Sequence, residues 1–356
     1  MSIDSLARPE IRNLQAYETA MQEVDSIRLN ANEAPWANGI HANGLELNRY
    51  PELRPQLLHR RLAAHYGVPR DNLLATRGSS EGIDLLMRAF CRAGRDSIVV
   101  TPPTFSMYRV FADIQGALVI EAPLSPERGF RLDPDAVLQR CGPETKLVFI
   151  CSPNNPTGGV VGHSGILELA DGRRNRSLIV VDEAYAEFSG APSAAALLQS
   201  HENLVVLRTL SKALSLAGAR CGAVLAAAPV IRVLNAILAP YALATPVIDC
   251  VLRSLSSQAL QISRDAIQRI IRERERVSEA LVRCPQVAEV WPSRGNFLLV
   301  RFRRLASVQA QLQRQRILIR TFASEALLED CARITIGTPE QNDLLIAVLG
   351  ETAEQA

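Results

Sequence analysis

The stretch "LIVVDEAY", residues 178–185, decides the fold. Four apolar residues run without a break, Leu178 to Val181, and two carboxylates follow. A strand with one wet face alternates apolar and polar side chains. A continuous apolar run implies that both faces are covered, as in a parallel sheet between helices. Asp182, emerging from Val180 and Val181, is partly desolvated and needs a cationic or hydrogen-bonding partner. A helix cap or a metal ligand would also use an aspartate there, but no second acidic cluster supports a metal.

The pattern repeats outward in both directions. "NLLAT" (72–76) precedes a helical pattern from about Ser80 to Cys91, and "SIVVT" (97–101) precedes one near 105–115. "KLVFIC" (146–151) leads into a loop and a helix near 164–171. "NLVVLRTL" (203–210) and "CGAVLAA" (221–227) close the series. Strands alternating with helices predict a large α/β domain with a mostly parallel sheet. At "ATP" (244–246) the character changes. Thr245 is placed to cap a helix that Pro246 begins, and one long helical pattern then runs to about Arg283. "NFLLVRF" (296–302), "ILIR" (317–320) and "RITIG" (333–337) read as strands of a smaller α+β domain. The expected division is an N-terminal arm over 1–30 packing with the small domain at the substrate site, a large domain over 31–245 and a small domain over 246–356.

Composition narrows the function. The 356 residues are 47% apolar and 21% charged, enough for two ordinary cores. A net charge of +2 argues against nucleic acid or an anionic membrane as partner. "RERER" (272–276) reads as a solvated helix face with Arg/Glu pairs three apart. Seven scattered cysteines without a C-x-x-C pair, and five separate histidines, fit reduced thiols and no metal site. The N-terminus lacks the apolar core of a signal peptide, and no apolar run approaches membrane-spanning length. The expectation is a soluble cytoplasmic protein.

The unusual polar residues cluster where strands end, which is where open α/β sheets bind ligands. "RGSSEG" (77–82) follows a strand and opens a helix. Gly78 permits the turn, and Ser79 and Ser80 leave N–H groups facing outward for an anion. Alone, that is also an ordinary helix cap. "CSPNNPTGG" (151–159) is a stiff loop presenting Asn155, which Pro156 biases toward an extended backbone. Alone, it is also a turn. Tyr185 follows Asp182 by three residues. "LRTLSKALSLAGARCG" (207–222) sets Lys212 among Ser211, Ser215 and Arg220. A single loop lysine is ordinarily a solvated charge. Together these parts supply what pyridoxal phosphate requires: a carboxylate for the ring nitrogen, an amine for the aldehyde and donors for the phosphate.

On "LNANE" (29–33), "RYP" (49–51), "RGSSEGIDLLMRAFC" (77–91), "MYRV" (107–110), "CSPNNPTG" (151–158), "VVDEAYAEF" (180–188), "RTLSKALSLAGARCG" (208–222) and "RITIGT" (333–338), the sequence resembles the fold-type I pyridoxal-phosphate aminotransferases. Within them it is most similar to those acting on histidinol phosphate. The resemblance covers nearly the whole chain. It implies a seven-stranded sheet sandwiched by helices, pyridoxal 5'-phosphate as cofactor and a homodimer with shared sites. It further implies that Lys212 holds the cofactor's aldehyde and shuttles the proton, and that Asp182 pairs with the ring nitrogen. Asn155 and Tyr185 would bind the ring's phenolic oxygen, and Tyr108 would stack on the ring. Ser79, Ser80, Thr209, Ser211 and Arg220 would hold the phosphate, joined by Tyr50 from the neighbouring subunit. Arg333 would bind the anionic end of the substrate, with Arg320, Asn155 and Tyr17 nearby. Ser80 stands where many such enzymes carry aspartate, and Ala219 where a larger apolar residue is common.

The implied reaction is a ping-pong transamination between L-histidinol phosphate and 2-oxoglutarate, giving imidazole acetol phosphate and glutamate. An aromatic amino-acid aminotransferase and a threonine-phosphate decarboxylase would use the same cofactor residues. A non-catalytic phosphate-binding α/β module would need the "RGSSEG" turn and Arg220, but not Lys212, Asp182 and Asn155 together.

Overall fold

A computed structural model describes residues 2–16, 27–37, 45, 47–322 and 325–350. In chain order the elements of the large domain are α1 (Pro9–Arg12), α2 (Gln56–Tyr66), β1 (Leu73–Thr76), α3 (Ser79–Phe90), β2 (Ser97–Val100), α4 (Met107–Gln115), β3 (Leu118–Glu121), α5 (Pro134–Arg140), β4 (Thr145–Cys151), α6 (His163–Gly172), β5 (Leu178–Asp182), β6 (Leu204–Thr209), β7 (Gly222–Ala226) and α7 (Ala228–Ile237). There follow α8 (Thr245–Ser254), α9 (Ser257–Val282), β8 (Val287–Trp291), β9 (Phe297–Phe302), α10 (Leu305–Arg314), β10 (Arg320–Thr321), β11 (Cys331–Thr335) and α11 (Pro339–Gly350).

Seven strands form one sheet in the order β1-β7-β6-β5-β4-β2-β3. All pairings are parallel except those of β7, which runs antiparallel to both β1 and β6. The unbroken apolar run of β5 has the predicted cause. Ile179 and Val181 point into a core under α2, α5, α6 and α8, while Leu178 and Val180 point into a second core under α3, α4 and α7. The edge strand β3 is half wet and was not foreseen, because "LVIE" lacks the doubly buried signature of the inner strands.

The small domain is a four-stranded antiparallel sheet, β10-β11-β9-β8. Of "ILIR" only Arg320 joins a strand; Ile317 and Ile319 pack against the small-domain core and Leu318 is exposed. The expected single helix after 244 is two. Ala244 is the N-cap of α8 and Thr245 its first residue, so Thr245 does not cap it. Ser256 starts a new helix by accepting from Ala259 N–H at 3.3 Å. Helix α9 then serves both cores: Ile267 lies in the large one, Val277 and Leu281 in the small one. "RERER" is only partly a wet face. Arg276 pairs with Glu273, but Arg274 is buried and donates to the carbonyls of Phe188 and Gly295.

The described start of the chain departs from the expected arm. Ile3 and Ala7 are buried against α3 and α7 of the large domain, and Arg8 bonds the carbonyls of Arg88 and Ala89. Apolar residues spaced four apart, joined by Arg8, dock this segment. Across the cleft, the loop before β9 rests on the loop after β4. Arg294 N–H donates to Gly158 O at 2.8 Å, and a Cβ on Gly158, at φ +80°, would run into Ser293.

Candidate active site

Strands β4, β5 and β6 end side by side, with Cys151 opposite Asp182 and Asp182 opposite Leu207. Beyond these ends lies a cavity lined by Ser79, Ser80, Phe105, Cys151, Asn155, Asp182, Ala184, Tyr185, Thr209, Ser211, Lys212 and Arg220.

One end suits an anion. Gly78, at φ +78°, turns the chain from β1 into α3, so Ser79 and Ser80 form the helix's first turn. Arg220 takes a left-handed backbone at φ +52° and donates to Ser211 Oγ at 3.3 Å and to Ala217 O at 3.2 Å. A Cβ on Gly78 would stand 2.9 Å from the guanidinium, so the glycine makes room for the arginine. Thr209 Oγ1 lies 3.0 Å from Ser211 Oγ. The acid in the first turn of α3 is turned away: Glu81 accepts from Arg77 N–H and from its guanidinium, each at 2.7 Å. Nothing negative is left facing the serines from that turn.

The opposite end is a buried acid. Asp182 is 2% exposed. Burial pushes its carboxyl up to about 6, opposed by the hydroxyl of Tyr108 at 2.8 Å and by Ala184 N–H at 3.1 Å. Here the structure corrects the sequence reading. Tyr108 does not face the cavity; it is fully buried, lies parallel to Phe149 and spends its hydroxyl on Asp182. Phe105, three residues earlier, presents its ring to the cavity instead. Phe105 lies just before the α4 cap and Tyr108 in its first turn, so spacing alone did not choose between them.

The neighbouring carboxylate, Glu183, points away from the cavity. It receives Arg208 at 2.6 Å, which also reaches Glu187 at 2.6 Å, in a buried cluster behind the site. The "DE" pair therefore splits into one cavity residue and one that ties β5 to β6.

Between the two ends stand Lys212, Tyr185 and Asn155. The Lys212 amine is depressed below the usual lysine range, first by burial and then by the cations Arg333 and Arg220. It lies 5.8 Å from the centre of the Tyr185 ring. Burial raises the Tyr185 phenol, which accepts from the Asn155 amide at 3.5 Å. The other Asn155 atom, Oδ1, accepts from Arg333 at 2.5 Å. Asn154, not singled out in the sequence, makes the loop rigid by donating to Pro103 O and Thr157 Oγ1 and accepting from Thr104. The peptide bonds before Pro103, Pro153 and Pro156 are cis.

A second cavity adjoins the first and is lined by Phe105, Asn155, Arg320 and Arg333 among others. Arg320 and Arg333 face each other across the β10–β11 pairing. Tyr50 lies outside both cavities, half exposed and stacked on Tyr241 at 4.5 Å. Tyr17 lies outside the described residues. Among the described residues, no group of acids, histidines and cysteines could hold a metal, and no helix is long and apolar enough to cross a membrane.

Comparison with known proteins agrees with this arrangement. The chain is 42% identical over 351 residues to the histidinol-phosphate aminotransferase of Aeromonas salmonicida, covering 98% of each chain. It is 44% identical over 349 residues to that of Stenotrophomonas maltophilia, covering 97% of this chain and 96% of the other. Among solved structures it matches histidinol-phosphate aminotransferase from Sinorhizobium meliloti in complex with pyridoxal-5'-phosphate, at TM-score 0.76 and 24% identity, over 85% of this chain and 82% of that one. That last likeness is one of fold. The family model for aminotransferase class I and II matches residues 10–349. With a buried acid, a depressed lysine and an anion cradle at the ends of neighbouring strands, the chain belongs to the class I and II aminotransferases.

Proposed function

We propose that this chain is a histidinol-phosphate aminotransferase, moving the amino group of L-histidinol phosphate to 2-oxoglutarate with pyridoxal 5'-phosphate as cofactor. The observation that carries the reading is the single cavity shared by Lys212, Asp182, Asn155, Tyr185 and Arg220, with Arg333 reaching into it through Asn155. Its donor set fits the cofactor: an anion cradle at one end, an acid at the other, an amine between.

The bound cofactor supplies an aldehyde that takes up the amine and a ring that draws off negative charge from the adjacent carbon. The chain's residues do the rest. Ser79, Ser80, Thr209, Ser211 and Arg220 bind the phosphate, with the partner subunit's Tyr50 as an added donor. Asp182 keeps a proton on the ring nitrogen. Asn155 and Tyr185 would hold the phenolic oxygen, and Phe105, lining the same cavity, would lie against the ring. Lys212, its amine depressed by burial and by the cations Arg333 and Arg220, would be the group that meets the cofactor's aldehyde and would carry a proton at the substrate's Cα. Arg333, with Arg320 beside it, takes either the phosphate of one substrate or the carboxylate of the other, since a guanidinium fork matches both.

The working form is a cytoplasmic homodimer. Exposed Ile27, Leu29 and Trp36, together with half-exposed Tyr50, offer apolar surface for a second copy. The seven free cysteines suit a reducing compartment.

The test is incubation of purified protein with L-histidinol phosphate and 2-oxoglutarate. Glutamate formation supports the reading. Efficient turnover of phenylalanine instead favours an aromatic aminotransferase, and carbon dioxide released from threonine phosphate favours a decarboxylase. The substrate assignment fails at its anionic end if Arg333→Ala handles histidinol phosphate as well as the unaltered enzyme.

A further inference from the structure

We propose that Tyr108 is a positioning residue: clamped between two aromatic rings, it holds the Asp182 carboxylate as a fixed, ionised partner for the cofactor ring and braces Phe105 against the same site. The geometry leaves the phenol little freedom. Its ring is fully buried, lies nearly parallel to Phe149 at 4.8 Å and meets Phe105 edge-on at 5.6 Å. With the ring so held, the hydroxyl donates to Asp182 Oδ2 at 2.8 Å, with the Cys151 thiol beside it. Oδ1 is tied separately to Ala184 N–H at 3.1 Å. Each oxygen thus has one protein donor, which fixes the plane of the carboxylate and leaves lone pairs for the cavity it lines.

The phenol is placed to donate and not to ionise, since burial and the nearby acid raise it far above its usual range. The other groups facing Asp182 cannot replace it. The Cys151 thiol, from β4, is held protonated by burial and donates to Pro153 O. Glu183, from the same strand end, disfavours a second negative charge, and Arg208, from β6, favours one but is spent on Glu183 and Glu187. Tyr185 and Lys212 share the cavity without a bond to the acid. Tyr108 is therefore the one side chain that bonds Asp182 among the described residues, and its ring contact with Phe105 links the acid at one end of the cofactor to the aromatic cover of its face. The inference rests on the cofactor reading above but not on the identity of the substrate.

The experiment titrates Asp182 itself, in cofactor-free protein, by carboxyl-carbon NMR with the resonance assigned from its loss in Asp182→Asn. Tyr108→Phe keeps both ring contacts and removes the hydroxyl. The titration midpoint should rise by about one unit or more, and affinity for added pyridoxal phosphate at neutral pH should fall about tenfold. A second variant acts in the opposite sense. Incorporating 3-fluorotyrosine at position 108, a more acidic phenol of nearly the same shape, should lower the midpoint. An unchanged midpoint in either variant overturns the proposal, and a Phe variant that fails to fold leaves the fluorinated one to decide. A merely structural role would alter melting in both without moving the titration.

Discussion

At Lys212 three influences act in one direction. Burial, Arg333 and Arg220 all disfavour the ammonium, so more of the amine is neutral at a given pH than on an exposed lysine. Removing one cation should reverse part of this. In Arg333→Leu the pH dependence of pyridoxal-phosphate attachment to Lys212, read from absorbance after stopped-flow mixing, should move to higher pH. An unchanged profile would leave burial as the sole cause. Asp182 presents the opposite case, a carboxyl that burial raises to about 6. A raised acid favours the folded state while protonated. That advantage is complete below the unfolded value near 3.9 and is lost as pH rises through about 6. Cofactor-free Asp182→Asn should therefore lack this fall and melt higher than the unaltered protein at pH 8, by about 1–3 kcal/mol in stability. It should also fail to hold the cofactor in productive form. Calorimetry at pH 4 and pH 8 checks the first claim. That Asp182, Asn155, Lys212 and Arg220 lie at strand ends was legible from type and spacing, whereas their roles toward a cofactor were implied only by the family resemblance. Tyr108 and Phe105 were not distinguished, since which of two nearby rings sinks into the core depends on Phe149, forty residues away and on another element.

The strands impose their own demands. Gly222 sits where β7 is flanked on both sides, and a Cβ there would stand 2.5 Å from Arg208 O and 2.8 Å from the backbone of Gly78. Gly222→Ala must push β1 or β6 aside. It should cost about 1–3 kcal/mol in stability and weaken phosphate binding through the displaced Gly78 turn. Urea unfolding and a titration with inorganic phosphate measure the two effects; stability loss with intact phosphate affinity would show that the turn is independent of β7. The inner strands were readable because a doubly buried strand writes an apolar run into the sequence. The break between α8 and α9 was not, because both helices keep an apolar face across it and only the Ser256 cap interrupts the backbone. Strand β10 was over-read because Ile317 and Ile319 are buried without pairing, and apolar spacing reports burial rather than hydrogen bonding.

For the whole molecule, six strands of the large sheet and the smaller α+β domain follow from the order of apolar runs, whereas the wet edge strand β3 and the docking of residues 3–12 on the large domain do not. Nothing in "SIDSLARPE" names its receptor, a surface that α3 and α7 form together. The proposed dimer yields a test at this scale. If Tyr50 completes the site of its neighbour, Lys212→Ala and Tyr50→Ala chains are each defective alone. Mixed under exchange, they form heterodimers with one site carrying both defects and one carrying neither. Activity should recover to about a quarter of the unaltered level, as random pairing of two-fold dimers requires. No recovery despite confirmed exchange would place Tyr50 within its own subunit's site or outside both.

The seat of Ser293 and Arg294 on Gly158 couples the small domain to the entrance of the site. Since the small domain leans on the same short loop that presents Asn155, any swing that widens the entrance drags on the residue meant to grip the ring. Entrance and grip then share one loop, and a side chain wedged in at position 158 would disturb both at once.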